Sequence, residues 1–198
     1  MAHDTEYLPP GATLSHQARQ DSQPANMVEE LVPKPPFDFH VVLFEPEIPP
    51  NTGNAGRLCV ATQSTLHIVG KPAFSLTDKA VRRAGLDYWK YVKIMTHKNF
   101  DEWLHWQRTS IPDLQWLLME NGTEANGVKP SSFYETTIFA KAAFIFGKET
   151  VGLPKEILQA HHDKVREIPM FSSRIRSLNL SNAIAMTLYE AIRQNLKI

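Results

Sequence analysis

Ile168-Pro-Met-Phe-Ser-Ser-Arg-Ile-Arg-Ser-Leu-Asn-Leu-Ser-Asn-Ala-Ile-Ala-Met-Thr-Leu-Tyr-Glu-Ala-Ile-Arg-Gln194 reads as a short apolar strand, a polar loop and a helix. The strand ends at Pro169. Leu180, Ile184, Leu188 and Ile192 then fall four apart, so one face of the helix is apolar and the helix start packs against something. The loop before it is rich in hydrogen-bonding groups. Free backbone N–H groups at a helix start suit a polar or anionic ligand. Capping of the helix by Ser177 or Asn179 explains the same residues without any ligand.

Moving outward, the same alternation recurs. Phe39–Phe44, Leu66–Val69, Tyr91–Met95, Gln115–Met119, Ala142–Phe146 and Val165–Ile168 read as short strands. Thr52–Thr62, Thr77–Ala84, Phe100–Gln107, Pro154–Ala160 and about Asn179–Asn195 read as helices. Short apolar strands alternating with helices predict an α/β fold, a mainly parallel sheet covered on both faces. Ligands of such sheets sit at the carboxyl ends of strands. Residues 1–36 hold six prolines and no helix or strand period, and read as a disordered or loosely attached extension. Residues 37–198 then form the domain.

Composition excludes several classes. No apolar run reaches the roughly 20 residues of a membrane span, and no secretory signal is visible at the N-terminus. The single cysteine, Cys59, cannot form an internal disulfide. A cytoplasmic protein with no membrane partner is expected. Beyond residue 36 the chain carries 19 basic and 16 acidic side chains, a mild excess that permits a local nucleic-acid patch without arguing for one. His161-His162 lacks acidic or cysteine partners at metal spacing, so no metal site is expected.

Three loops carry candidate chemistry. Glu45-Pro46-Glu47-Ile48-Pro49-Pro50-Asn51-Thr52-Gly53-Asn54-Ala55-Gly56-Arg57 follows the first strand. Asn51 or Thr52 is placed to cap the next helix, and Arg57 projects a planar donor suited to phosphate. A stiff turn, a helix cap and a surface arginine is the plainer reading, and the favoured one on these residues alone. Gly147-Lys148-Glu149-Thr150-Val151-Gly152 follows another strand, and Gly147 leaves room for a ligand against the backbone, although a simple strand-to-helix turn explains the glycines about as well. Neither G-x-x-x-x-G-K-[ST] nor G-x-G-x-x-G is present, which disfavours a phosphate-binding loop and a nicotinamide dehydrogenase. The third loop is the opening one, where Arg174 and Arg176 are candidates for phosphate. Arg82-Arg83, before Asp87-Tyr88-Trp89-Lys90-Tyr91, mix basic and aromatic groups and could touch RNA; core packing with a solvated basic edge fits them too. Trp103, Trp106 and Trp116 are expected in the core.

Together these stretches resemble the motifs of the SPOUT class of knotted RNA methyltransferases. The likeness is strongest to the small tRNA (cytidine/uridine-2′-O)-methyltransferases of the TrmL or YibK-like type. It rests on residues 45–59, 82–88, 146–154 and 176–194, in that order, and spans Phe39 to Leu196. The chain departs from the pattern at Ala55-Gly56, at Lys148 and Val151, and by one extra residue within Phe171–Ile175.

The resemblance implies a C-terminal deep trefoil knot holding S-adenosylmethionine, bound largely by backbone groups. The cofactor contacts carried over are Leu118, Gly147, Ile168 and Ser177, with Met170 and Leu178 lining the adenine pocket. It also implies a homodimer with the first-motif and last helices near the interface. The reaction would be 2′-O-methylation of the ribose at the wobble position of tRNA, on cytidine or modified uridine, with leucine tRNAs preferred. Arg57 matches the motif-one arginine assigned to hydroxyl activation. A free guanidinium has a pKa above about 12, so holding phosphate and stabilising a developing alkoxide is its easier role. Asn51, Glu149 and Asn179 are positioning candidates, and Arg82, Arg83, Arg174 and Arg176 candidate RNA contacts. Methylation of another RNA, such as ribosomal RNA, and non-catalytic RNA binding on the same fold are the alternatives.

Overall fold

The structure is a computed structural model and describes residues 33–76, 88–121 and 129–196. Seven strands form it: β1 (Asp38–Phe44), β2 (Thr65–Val69), β3 (Lys93–His97), β4 (Gln115–Met119), β5 (Ser131–Ser132), β6 (Lys141–Phe146) and β7 (Val165–Glu167). The helices are α1 (Pro49–Ala61), α2 (Phe100–Ser110), α3 (Lys155–Ala160) and α4 (Leu180–Leu196). The strands make one sheet in the order β3-β2-β1-β6-β4-β7-β5, and every pairing is parallel.

Alternation along the strands sorts the core into two layers, because successive side chains point to opposite faces. Phe39, Val41 and Leu43 of β1, with Phe144 and Phe146 of β6, meet Ala55 and Cys59 of α1 and Ile184, Leu188 and Ala191 of α4. Val42, Ile145 and Leu118 face the other way, onto Trp103 and Leu104 of α2 and Leu158 of α3. Burial pushes the Cys59 thiol up, so it stays an inert thiol.

The expected parallel sheet is present, with local differences that have physical causes. Helix α1 begins at Pro49, not Thr52. Two prolines fit its first turn because those positions need no N–H partner. Asn51 and Thr52 therefore lie inside the helix, and the expected cap is incorrect: Ile48 stands at the N-cap position with no side-chain cap. Strand β3 starts two residues late because Trp89–Tyr91 form a 3-10 turn first. The short β5 was not expected. Its two serines carry no apolar alternation to read. The expected helix Thr77–Ala84 lies outside the described residues.

Three histidines cross the α2 face of the sheet. His40, His67 and His97, on β1, β2 and β3, share ring hydrogen bonds of 2.9 Å each. Trp106 of α2 lies over all three rings. Trp103 and Trp116 are buried, as expected of core tryptophans.

Strand order reverses at β1: β2 lies on one side of it and β6 on the other. The loops after β1, β6, β4 and β7 consequently open at the same end of the sheet, the carboxyl end, where the reversal leaves a crevice.

Candidate functional site

The loop after β1 is tied to the loop after β6 by reciprocal carboxylates. Glu149 Oε2 accepts the Glu47 N–H at 2.9 Å, and Oε1 accepts the Ile48 N–H at 3.2 Å and Asn51 Nδ2 at 3.0 Å. In return Glu47 Oε2 accepts the Thr150 N–H at 3.1 Å and its hydroxyl at 2.7 Å. Lys148 pairs with Glu45, which raises the lysine pKa through that hydrogen bond.

The link continues to the third loop. Asn179 Nδ2 donates to Asn51 Oδ1 at 3.1 Å, while Asn179 Oδ1 accepts the Ser181 N–H at 2.9 Å at the start of α4. Asn179 therefore caps α4 and joins the three loops at once.

Gly147 opens a hairpin in which Lys148 and Gly152 exchange backbone hydrogen bonds of 3.1 and 2.9 Å. A Cβ on Gly147 would lie 2.2 Å from the Gly152 carbonyl carbon. The space a side chain would take is thus filled by the hairpin's own backbone. Gly152 has φ +72°, which favours glycine.

These loops enclose a cleft of about 310 Å³. Asn51, Gly147, Glu149, Ile168, Ser177, Leu178 and Asn179 all line it, bringing most of the expected cofactor and positioning residues together. Met119 and Glu120, at the end of β4, line it as well, and neither was anticipated. Burial raises the Glu120 carboxyl above its ordinary value, against backbone N–H groups of Leu153 and Asn121 that lower it. The available signal was position: the first residues past a parallel strand's carboxyl end face the crevice.

Other expected residues lie elsewhere. The Leu118 side chain is buried on the α2 face, so only its backbone can reach the cleft side. Met170 is half-buried and outside the cleft lining. Arg57 is exposed on α1, 4.6 Å from the centre of the Tyr88 ring, whose hydroxyl donates to the Gly53 carbonyl at 3.1 Å. Arg57 does not line the cleft. Arg174 and Arg176 are exposed on the loop before α4. Arg82 and Arg83 lie outside the described residues. The small Ala55-Gly56 pair has a local reason, since a Cβ on Gly56 would meet the Trp89 ring at 2.6 Å.

A second concavity of about 350 Å³ lies at the amino end of β4, lined by Asp113, Trp116, Phe139 and Arg166. Its arginine is already held by Thr136 and by the Asp163 and Val165 carbonyls. The carboxyl-end cleft is therefore the better candidate.

Fold and site together define a class. The model of the SpoU rRNA Methylase family matches residues 38–189, and this chain belongs to that family. The chain is 44% identical over 157 residues to the tRNA (cytidine(34)-2′-O)-methyltransferase of Saccharophagus degradans, covering 79% of this chain and 95% of that one. It is 44% identical over 160 residues to the enzyme of the same name from an Acidovorax species, covering 79% and 92%. A solved structure concerned with 2-OH methylation of C/U34 on tRNA superposes with a TM-score of 0.73 at 32% identity, covering 82% of this chain and 99% of that one.

Proposed function

We propose that this protein methylates the ribose 2′-hydroxyl at position 34, the wobble position, of tRNA, using S-adenosylmethionine. The observation that carries this reading is the cleft itself. Loops from the ends of β1, β6 and β7 are locked together through Glu149, Asn51 and Asn179. The same-named relatives supply the substrate class.

The lining fits the cofactor. Apolar Met119, Ile168 and Leu178 suit an adenine ring, and a carboxylate and loop backbone groups suit its polar parts. In this reading Gly147, Ile168, Ser177 and Leu178 hold the cofactor, with the Leu118 backbone and Met170 beside them. Bound there, S-adenosylmethionine supplies an electrophilic methyl group on a sulfonium. The chain's task is to align the attacking hydroxyl oxygen with that methyl and to stabilise the oxygen as its proton leaves.

Arg57 suits the second task, because a protonated guanidinium steadies developing alkoxide and neighbouring phosphate. Its distance from the cleft is resolved by a homodimer. Helices α1 and α4 pack together, and α4 exposes Met186 (39%) and Tyr189 (54%). A second copy docked on this face buries those side chains and presents its Arg57 to the first copy's cleft. Arg174 and Arg176, with Arg82 and Arg83, would meet the RNA backbone. We also carry a trefoil knot into this reading: α4 returns to the β1 side of the sheet, although the strand before it, β7, lies beyond β4. No helix among the described residues is long and apolar enough to cross a membrane. A cytoplasmic site of action, where tRNA is found, belongs to the same proposal.

The test is methyl transfer in vitro from labelled S-adenosylmethionine to unmodified leucine tRNAs and, separately, to ribosomal RNA. Label on the nucleotide 34 ribose is expected. Label on ribosomal RNA alone, or RNA binding with no transfer, would overturn the proposal.

A further inference from the structure

Two carboxylates line the cleft, and they differ in what they already hold. Glu149 already accepts from two backbone N–H groups and the Asn51 amide, three of its acceptor positions. Glu120 accepts the Leu153 N–H at 2.9 Å through Oε2 and a second backbone N–H from Asn121. No lysine or arginine among the described residues forms an ion pair with it. A carboxylate offers about four acceptor positions, so Glu120 keeps open ones on the cleft side. Gly152 makes room for it: a Cβ there would come within 2.7 Å of both carboxylate oxygens.

A half-buried anion with no cation partner among the described residues, and with acceptor positions to spare, is costly unless a ligand brings donors. Its neighbours say which donors. Met119 and Ile168 beside it are apolar and suit a base. The nearest donors on a nucleoside so placed are its sugar hydroxyls. A vicinal diol presents two O–H groups side by side, matching the two oxygens of one carboxylate. An acid past the end of a parallel strand reads ribose by this chemistry in dinucleotide-binding sheets.

We propose that Glu120 binds the ribose of the adenosyl cofactor by accepting its 2′- and 3′-hydroxyls. This rests on the S-adenosylmethionine reading above. Because Glu120 also anchors Leu153, it couples the occupied ribose site to the hairpin that carries Glu149. Specificity follows: deoxy analogues leave the carboxylate's remaining acceptor positions unfilled and bind more weakly.

The experiment is calorimetric titration of the full-length protein with three ligands. S-Adenosylhomocysteine carries the diol and the amino-acid ammonium. 5′-Methylthioadenosine carries the diol alone. 2′,3′-Dideoxy-S-adenosylhomocysteine carries the ammonium alone. Wild-type protein is expected to bind the dideoxy ligand about tenfold or more weakly than its parent. This arm needs no mutation. Glu120→Gln, whose amide oxygen can still accept from Leu153, should weaken both diol ligands by a similar factor and leave the dideoxy ligand unchanged. Equal binding of the parent and dideoxy ligands by wild-type protein would overturn the proposal. So would a Glu120→Gln loss that vanishes with 5′-methylthioadenosine, since that assigns the carboxylate to the ammonium. Absence of S-adenosylhomocysteine binding by wild-type protein would overturn the cofactor reading itself, a distinct result.

Discussion

Asn51 donates its side-chain amide to Glu149 at 3.0 Å and accepts from Asn179 at 3.1 Å, although these partners stand 98 and 128 positions away. Three loops that are remote in sequence thereby share one buried amide. Asn51 is only 5% exposed, so solvent cannot easily replace either bond.

Glu149→Gln tests that junction. All three groups facing the carboxylate are donors, so the new NH₂ must oppose one of them. A loss of about 1–3 kcal/mol in unfolding free energy is expected, together with loss of methyl transfer. Urea denaturation and a transfer assay measure the two effects. Wild-type stability and turnover would show that the junction is dispensable.

Arg57→Ala should leave S-adenosylhomocysteine affinity within about twofold of wild type and lower methyl transfer by about a hundredfold or more. Arg57→Lys should recover little, because a point charge does not reproduce the planar fork. The assignment fails if Arg57→Ala turns over its tRNA at the wild-type rate.

Gly147→Ala places a methyl 2.2 Å from backbone, which cannot swing aside as a side chain would. A cost of about 1–3 kcal/mol is expected. Cofactor affinity should fall with it, because the hairpin forms the cleft wall. A thermal midpoint equal to that of wild type would contradict the packing described.

The histidine row gives a pH dependence. Burial lowers His67, with the charges of His40 and His97 adding to the effect. Burial lowers His97 to about 4, opposed by Glu102. Unfolded histidine titrates near 6.5. Between those values the unfolded chain binds more protons than the folded one. The contribution is therefore fully present above about pH 6.5 and is lost as pH falls toward 4. Denaturation from pH 7.5 to 4.5 should show stability falling through this window, less steeply in His97→Gln. A flat profile, or an identical slope in the variant, would count against neutral His67 and His97 in the folded chain.

What the sequence revealed depended on the kind of signal. Parallel strands were legible because Phe39–Phe44 and Ala142–Phe146 are apolar on both faces, which a doubly covered sheet requires. Asn51 was misread as a cap because asparagine before an apolar helix usually is one. The prolines at 49 and 50 already filled the first turn, and Asn51 turned inward to bond two distant loops. Glu120 escaped notice because nothing local distinguishes an acid past a strand end. Only the pairing of β4 with β6 and β7 brings it beside Gly147 and Ile168. The histidine row escaped for the same reason. His40, His67 and His97 each look like a lone polar residue in a strand, and only the assembled sheet brings them together, along a diagonal that steps two residues per strand.

The most direct test of the central claim is position-resolved mapping of ribose methylation in tRNA from otherwise identical cells with and without the gene. Loss of 2′-O-methylation at nucleotide 34, restored by the wild-type gene and not by Arg57→Ala, is the predicted result. Unchanged methylation at nucleotide 34 in cells lacking the gene would contradict it.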